Sequence, residues 1–381
     1  MMNNSTFIPV NTPVFLGNEK KYLNQCIDTG WVSSDGAFVT KFEDETASVI
    51  GRKFAVAVSS GTSAIDIAVA ALDLPVGSEV IVPSFCIVSV LHEVLRSGLV
   101  PVFVDCNFET FNVEPADVIS AITPKTKLII VAHIYGLPVD MNPLIDEAKR
   151  RGIFILEDAS EVQGQQYNDR ECGSFGDLST LSFYANKQIT TGEGGMVLTD
   201  SLELYKRLKS LRNLCFNDEK RYSHDRLGWN YRMSNLQAAV GLAQLENLPA
   251  AVSRRRQIAE LYYEGLREVK GIALPMKNQG FGENINWVYA ITINQTLSLS
   301  AKELRENLHA DGVGTRSFFY PLHLQPLLQE LNANYKTHGD CTNSELLYER
   351  GLYLPSGLGL TDKEVKRVCS TIKKNLGGYY E

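Results

Sequence analysis

Short apolar runs alternate with longer amphipathic segments through the first part of the chain. Such alternation predicts βα units, in which consecutive strands lie parallel and helices cover the sheet. The predicted strands are Phe54–Val58, Glu79–Val82, Val100–Val104, Lys127–Ala132, Phe154–Glu157, Leu178–Phe183 and Gly195–Leu198. The predicted helices between them are Ser63–Ala71, Val88–Ser97, Pro115–Ile122 and Asn142–Arg151. The pattern therefore predicts an α/β fold with a mostly parallel seven-stranded sheet.

The pattern changes near Pro249, which follows a long predicted helix over Ser234–Leu248 with Ser234 as its N-cap. We interpret this proline as a domain boundary. Residues 1–249 then form a large domain with an N-terminal arm, and residues 250–381 form a small α+β domain. The elements predicted in the small domain are the helices Ser253–Leu266, Ala301–Ala310, Asn343–Arg350 and Thr361–Asn375 and the strands Trp287–Ile293 and Gly314–Phe319. The Arg254-Arg255-Arg256 run is interpreted as a solvated helix face rather than a basic binding patch.

The amino-acid composition disfavours some classes of function and is consistent with the predicted fold. With 381 residues, 44% hydrophobic and 21% charged, the chain is typical of soluble globular proteins. A formal net charge of −7 disfavours binding to nucleic acid or to an anionic membrane. The seven cysteines are scattered and form no Cys-x-x-Cys pair, which argues against disulfides and a zinc site and favours a cytoplasmic location. We therefore expect no metal, and a nucleotide-linked small molecule stays open as a ligand.

Two segments of the predicted sheet have the polar groups of a ligand site. Residues 59–64, Ser-Ser-Gly-Thr-Ser-Ala, follow a strand and open a helix, where backbone N–H groups and the helix dipole attract anions. Residues 153–158 form a strand that ends in Glu157 and Asp158, at the sheet edge where α/β proteins bind ligands. Each segment alone also has an ordinary explanation, as a capped turn or as an acid that caps the next turn.

Lys187 gives these two segments a common chemistry. It follows an apolar strand and lies in a stretch that contains Gly192, Gly194 and Gly195. A cleft of low dielectric favours the uncharged form of a lysine, which is a nucleophile and a base. The three elements match the parts of a pyridoxal phosphate (PLP) site. The turn at residues 59–64 would bind the phosphate, the acid at the strand end would contact the pyridine nitrogen, and the loop lysine would form the Schiff base. A surface lysine on a loop is the alternative; together the three elements favour the PLP site.

Four motifs carry a resemblance to a known family. They are Ser-x-Gly-Thr-x-Ala, Glu-Asp-Ala, Ser-Phe-x-x-x-Lys-x-Ile-Thr-Thr-Gly-Glu-Gly-Gly and Asn-Tyr-Arg-Met-Ser-Asn, which begin at Ser59, Glu157, Ser182 and Asn230. With them the chain resembles the DegT/StrS family of nucleotide-sugar aminotransferases, from about Pro9 to the C-terminus. The resemblance implies an aspartate-aminotransferase-like architecture (PLP fold type I). It also implies a homodimer with active sites shared between the subunits.

The resemblance implies cofactor-binding roles for a set of residues. Lys187 matches the Schiff-base lysine, and Asp158 matches the acid on the pyridine nitrogen. Glu161 falls near the ring hydroxyl. The phosphate ligands that the resemblance implies are Gly61, Thr62, Ser63, Ser182 and, from the partner subunit, Asn230.

The resemblance is weaker around the substrate. Arg316 and His323 match a segment that lines the sugar-nucleotide cleft, although a packed histidine is the alternative interpretation of His323. Ile87 replaces an aromatic residue that packs on the cofactor ring in many members, so the ring is covered by Ile87 or by Phe85 from another angle. Two further departures from the family are Gln163 in place of His and Ser317 in place of Pro.

The resemblance also implies a reaction, the transfer of an amino group from L-glutamate to a keto-sugar with Lys187 as general base and acid. The segment after the lysine resembles the GDP-perosamine synthase-like branch, which aminates C4 of nucleotide-linked 4-keto-6-deoxyhexoses for O-antigen (lipopolysaccharide) biosynthesis. A UDP-linked 2-acetamido-4-keto sugar of the bacillosamine or legionaminic acid type is the alternative substrate, and the nucleotide stays open among GDP, UDP and dTDP.

Two other functions are disfavoured by the residues present. A pyridoxamine-dependent sugar dehydratase would have histidine in place of Lys187. A non-catalytic scaffold with this fold would not need Lys187, Asp158 and Ser182 together.

Overall fold

The structure, a computed structural model, describes residues 7–216, 220 and 222–377. Its strands are β1 (Phe54–Val58), β2 (Glu79–Pro83), β3 (Val100–Val104), β4 (Thr126–Ala132), β5 (Phe154–Asp158), β6 (Gln166–Tyr167), β7 (Arg170–Glu171), β8 (Leu178–Ser182), β9 (Gly195–Thr199), β10 (Ile272–Ala273), β11 (Tyr289–Ile293), β12 (Arg316–Ser317), β13 (Lys336–His338) and β14 (Gly351–Leu354). Its α-helices are α1 (Glu19–Thr29), α2 (Ala37–Ile50), α3 (Gly61–Ala71), α4 (Ser89–Arg96), α5 (Pro115–Ser120), α6 (Met141–Arg151), α7 (Leu202–Arg212), α8 (Asn235–Glu246), α9 (Leu248–Leu266), α10 (Ala301–Ala310), α11 (Pro326–Glu330), α12 (Thr342–Arg350) and α13 (Asp362–Gly377). Within these residues, none of the helices has the length and hydropathy that a membrane span requires.

The larger sheet has eight strands in the order β1-β9-β8-β5-β4-β2-β3-β13. Strands β8, β5, β4, β2, β3 and β13 are parallel to one another, whereas β9 runs antiparallel between β1 and β8. All seven strands predicted for the large domain lie in this sheet. The eighth, β13, is an edge strand of three polar residues, Lys-Thr-His, so no apolar run could have predicted it.

A second, antiparallel sheet in the order β10-β11-β14-β12 forms beyond residue 250. Its apolar side chains share a buried cluster with residues of α9, α10 and α13, and Ile8 of the N-terminal arm joins that cluster. The division of the chain at residue 249 stays a prediction. Two contacts nevertheless cross it, because β13 extends the larger sheet and Ile8 packs with the smaller one.

Two helices meet at the position predicted as the boundary. Ser234 caps α8 as expected, and its side chain forms a capping box with Gln237. Pro249 comes after α8 in the chain, but it is not a linker residue. It lies in the first turn of the next helix, α9. A proline is tolerated there because the amide N–H groups of a first turn have no intrahelical acceptor. The predicted helix Ser253–Leu266 therefore begins earlier, at Leu248.

Arg255 corrects the interpretation of the arginine run as a solvated face. Its side chain is buried, and its guanidinium donates to the backbone oxygens of Trp287 (2.8 Å), Asn186 (3.1 Å) and Ser356. Burial lowers the pKa of this guanidinium to about 9. The sequence interpretation was wrong here because one helix turn carries both inward and outward positions, and Arg255 occupies the inward one. Arg256 is half-exposed, as the solvated-face interpretation expected.

Candidate active site

The carboxyl ends of β5 and β8 bring Asp158 and Ser182 to the same edge of the larger sheet. The two strands are parallel neighbours, so both chains leave the sheet on one side. The start of α3 lies against this edge. A Cβ atom added to Gly61 would lie 2.8 Å from Ser182 Cβ and 3.0 Å from Ser182 Oγ, so only glycine allows this approach.

The first turn of α3 provides donors for an anion. Ser60 is the N-cap, and its hydroxyl accepts a 3.0 Å hydrogen bond from the amide of Ser63. The amides of Gly61 and Thr62 are also first-turn groups without an intrahelical acceptor. Both amides lie at the positive end of the helix dipole, and Gly61 lies next to Ser182 Oγ. Among the predicted phosphate ligands, the Ser63 amide is thus already used by the cap, whereas Gly61 and Thr62 keep their amides for a ligand.

The amine of Lys187 is buried at this edge between an acid and an aromatic ring. Lys187 Nζ lies 3.6 Å from Glu161 Oε1 and 3.6 Å from the centroid of the Trp287 indole. Burial lowers the pKa of Lys187, although the charges of Glu161 and Asp158 act in the opposite direction. This is the environment of a lysine that can act as nucleophile and base, as the sequence predicted.

Glu161 is held in place from its backbone and from its side chain. Its Oε2 accepts a 2.8 Å hydrogen bond from the amide of Tyr135, a residue in the left-handed region at φ 57°. Its backbone oxygen accepts a 3.0 Å bond from Gln188 Nε2, next to the lysine. Burial raises the pKa of Glu161 to about 7, and the Lys187 ammonium opposes that rise. The buried acid and the buried amine thus shift each other's pKa, since each charged form stabilises the other.

Replacing Glu161 by glutamine should reduce the pH dependence of stability in the cofactor-free protein. The pKa of Glu161 is raised from 4.5 to about 7, so its contribution is fully present below the lower value and is lost as the pH rises through the higher one. Between about pH 5 and about pH 8, the wild type should lose about 3 kcal/mol of unfolding free energy relative to the variant. Urea unfolding at the two pH values measures this difference. Glu268→Gln, at an exposed glutamate, should show no such difference, and equal pH dependence of wild type and Glu161→Gln would contradict the prediction.

Asp158 keeps one carboxylate oxygen without a hydrogen bond from the described residues. Both hydrogen bonds that the described residues donate to it use Oδ1, from the amide of Ser160 (3.1 Å) and from Thr180 Oγ1 (3.3 Å). The negative charge of Asp158 opposes the lowering of the Lys187 pKa by burial and, together with burial, raises the pKa of the Cys86 thiol. Its position suits the acid that the sequence assigned to a pyridine nitrogen; that role stays a prediction.

The neighbouring Glu157 belongs to a different, structural group. Its side chain lies within 4.8 Å of His133 and Cys172, a set that could ligate a metal. However, its oxygens accept hydrogen bonds from the amides of Gly173 and Phe175 and from His133 Nε2. The other imidazole nitrogen, Nδ1, accepts from the amide of Val139, so Nε2 carries the proton. These bonds satisfy the ligand atoms of Glu157 and His133 without an ion.

The loop after β2 places Ile87, rather than Phe85, at the surface of the site. Phe85 is fully buried among the rings of Phe111, Tyr135, Phe318 and Phe319. Ile87 is 41% exposed and follows Cys86, whose pKa is raised by burial and by the charges of Asp158 and Glu161. Of the two residues that the sequence offered to cover a cofactor ring, the structure makes only Ile87 accessible. The expectation for Phe85 is corrected because the aromatic cluster encloses its ring.

His323 is a packed histidine in this structure, which corrects its assignment as a substrate ligand. Its side chain is 8% exposed, Nδ1 lies 2.6 Å from Ser84 Oγ, and Nε2 lies 3.1 Å from Glu345 Oε1. Both ring nitrogens therefore have protein partners. The motif could not reveal this, because Glu345 comes from α12, beyond the segment that carries the histidine.

Two other predicted residues lie at the surface. Arg316 is exposed on β12, opposite Tyr353 of β14, and its charge acts on the Tyr353 hydroxyl, whose pKa burial raises to about 12. The charge of Glu161 acts on the same hydroxyl in the opposite direction. Asn230 is exposed in the segment after α7, where a partner subunit could reach it. The roles of Arg316 and Asn230 stay predictions.

Sequence reasoning missed three residues that organise the site. Gln163 donates a 2.6 Å hydrogen bond to the backbone oxygen of Ser182. Trp287 and Arg255 both donate to the backbone oxygen of Asn186, next to the lysine. Gln163 had been noted only as a departure from the family, and no motif marks the other two.

Comparison with known proteins assigns the chain to a protein family. A model of the DegT/DnrJ/EryC1/StrS aminotransferase family matches residues 16–373. The chain belongs to this family. A GDP-perosamine synthase of Vibrio cholerae is 39% identical over 367 residues, which cover 96% of this chain and 98% of that protein. A GDP-perosamine synthase of Escherichia coli O157:H7 is 37% identical over 368 residues, with 97% and 98% covered.

Solved structures give the same result for the fold of this DegT/DnrJ/EryC1/StrS member. An E. coli GDP-4-keto-6-deoxy-D-mannose-3-dehydratase with bound hydrated PLP superposes with a TM-score of 0.89 at 26% identity, covering 96% of this chain and 99% of the other. The predicted aspartate-aminotransferase-like architecture, PLP fold type I, is confirmed. The chain is a PLP-dependent aminotransferase.

The residues of this aminotransferase fit PLP. The close approach at Gly61 leaves a cradle beside Ser182, where the amides of Gly61 and Thr62 and the Ser182 hydroxyl would hold the phosphate. Asp158 would hold the pyridine nitrogen, and the buried Lys187 amine would hold the aldehyde.

Proposed function

We propose that this aminotransferase transfers an amino group from L-glutamate to C4 of a nucleotide-linked 4-keto-6-deoxyhexose, forming the 4-amino-4,6-dideoxyhexose. The observation that carries the proposal is the buried Lys187 amine beside Glu161. It supplies the base that a transaminase needs, at the position where the dehydratase relatives have histidine. The identity of 36–39% to GDP-perosamine synthases over nearly the whole chain supports the sugar and the carbon.

Different side chains carry out proton transfer and charge stabilisation. When bound, PLP supplies an electron sink for the carbon that loses its proton. Lys187 Nζ takes a proton from the α-carbon of glutamate in the first half of the reaction and returns one to C4 of the sugar in the second. Burial makes this possible because it favours the uncharged amine. Glu161, with a pKa of about 7, provides a nearby proton acceptor.

We also propose a homodimer that works in the cytoplasm, in O-antigen biosynthesis. Support for the dimer comes from an exposed tryptophan that contacts the start of α8, the helix that follows Asn230 in the chain. Trp31 is 58% exposed, and its backbone oxygen accepts a 2.6 Å bond from Asn235 Nδ2, at the start of α8. An exposed tryptophan beside the segment that carries Asn230 fits a surface that a second copy covers.

Amination at C4 is the expected result when the enzyme receives L-glutamate and a GDP-linked 4-keto-6-deoxyhexose. The product is examined by NMR to identify the carbon that carries nitrogen. A UDP-linked 4-keto-6-deoxyhexose and a UDP-linked 2-acetamido-4-keto sugar, supplied in parallel, test the nucleotide and the C2 substituent. Amination at C3 would contradict the proposed regiochemistry, and faster turnover of the acetamido sugar would favour the alternative substrate.

A further inference from the structure

The indole of Trp287 lies directly against the reactive amine. The Lys187 ammonium lies 3.6 Å from the ring centroid, well inside the range at which a cation is attracted to an aromatic face. Trp287 is 4% exposed and the Lys187 side chain is 9% exposed, so water screens this contact little. The sequence pattern predicts Trp287 only as the first residue of a strand.

Three hydrogen bonds hold the ring and the lysine backbone in one arrangement. Trp287 Nε1 donates to the backbone oxygen of Asn186 at 2.8 Å, across 101 residues of chain. Arg255 donates to that same oxygen at 3.1 Å and to the backbone oxygen of Trp287 at 2.8 Å. The contacts form a closed set among residues 186, 255 and 287. The position of the indole below the amine is therefore built into the fold, rather than one of many rotamers.

We propose that Trp287 is a catalytic residue, whose ring face holds the Lys187 ammonium whenever the amine is not bonded to the cofactor. The proposal rests on the proposed role of Lys187. The freed amine has to remain beside the reacting carbon in both halves of the reaction, and burial disfavours its charged form. Glu161 compensates from one side through its carboxylate, and the indole compensates from the other through its negative face.

A purely structural tryptophan is the competing explanation, because the indole N–H to Asn186 also orders the lysine loop. The two explanations differ in which substitutions they tolerate. Trp287→Phe keeps an aromatic face and loses the N–H, whereas Trp287→Leu loses both. Fluorinated tryptophan keeps the N–H and nearly the shape of the ring but weakens its negative face.

The test measures the pKa of the free Lys187 amine in the holoenzyme. Excess L-glutamate without keto-sugar converts the enzyme to its pyridoxamine form, and the pH dependence of Lys187 acylation is followed by peptide mass spectrometry. Lys363, exposed on α13, reports the intrinsic reactivity of the reagent in the same sample. We expect Trp287→Leu to lower the pKa of Lys187 by about one pH unit and Trp287→Phe to lower it by about half a unit or less.

Fluorotryptophan incorporated throughout the chain should lower the pKa of Lys187 progressively with the number of fluorine atoms, with the melting temperature unchanged. This arm does not depend on the folding of either substitution variant. Equal pKa values in wild type, Trp287→Leu and fluorinated protein, or equal shifts in Phe and Leu variants, would overturn the proposal. Failure of the proposed function is distinct, because borohydride reduction of the wild-type enzyme would then leave no cofactor adduct on Lys187.

Discussion

Lys187→Ala should abolish amino transfer, with turnover falling by about 10⁴-fold or more. The variant loses both the amine that holds the cofactor and the group that moves the proton. Among the described residues, the ion-pair partner of Lys187 is Glu161, and a carboxylate cannot form a Schiff base with the cofactor. Turnover is measured with glutamate and the keto-sugar, and the bound-cofactor absorbance band is recorded in the same samples.

The variant should keep its fold, because the substitution removes an amine whose charged form is disfavoured by burial. Its melting temperature is therefore expected to match or exceed that of the cofactor-free wild type. Lys363→Ala, at an exposed lysine of α13, is the matched control and should keep wild-type turnover. Full activity in Lys187→Ala would refute the assignment of the active site.

Asp158→Asn should reduce turnover by about 10²- to 10³-fold while leaving the protein folded. Asparagine keeps an oxygen to accept from Ser160 and Thr180, so the local hydrogen bonds survive. What is lost is the negative charge, which keeps a pyridine nitrogen protonated and lets the ring accept electrons. Single-turnover measurements with glutamate separate this loss from a change in substrate binding.

The adjacent Glu157 offers a control with the opposite pattern. Its carboxylate accepts from Gly173, Phe175 and His133 in a fully buried position. Glu157→Ala should lower the free energy of unfolding by about 3 kcal/mol because these donors lose their partner. The folded fraction should keep its turnover. If Asp158→Asn instead destabilised the protein and Glu157→Ala lowered only the rate, the roles of the two acids would have to be exchanged.

The positions that the sequence could predict are those that follow from local pattern. Asp158 and Ser182 end apolar runs, and the carboxyl ends of parallel strands meet at one sheet edge. Gly61 begins a helix after a strand, so the sequence also predicted the anion-binding turn at residues 59–64. Such inferences need only the period of the hydrophobic pattern and the handed, parallel arrangement of βα units.

Predictions failed where a side chain finds its partner far along the chain. His323 was placed in a cleft, yet Ser84 and Glu345 occupy both of its nitrogens. Arg255 was placed in solvent, yet it is buried against backbone oxygens of three other segments. Phe85 was offered as a ring cover, yet four aromatic residues enclose it.

The sequence by itself determined the strand and helix pattern and the family, and it predicted the acid and the lysine of the site, because short motifs and local periodicity encode them. Only the tertiary structure decided that the Lys187 amine lies between Glu161 and Trp287, and that Arg255 ties the tryptophan to the lysine loop. Such contacts depend on how two sheets and α9 pack together. Packing is a sum of many weak contacts between distant segments, which leaves no short motif in the chain.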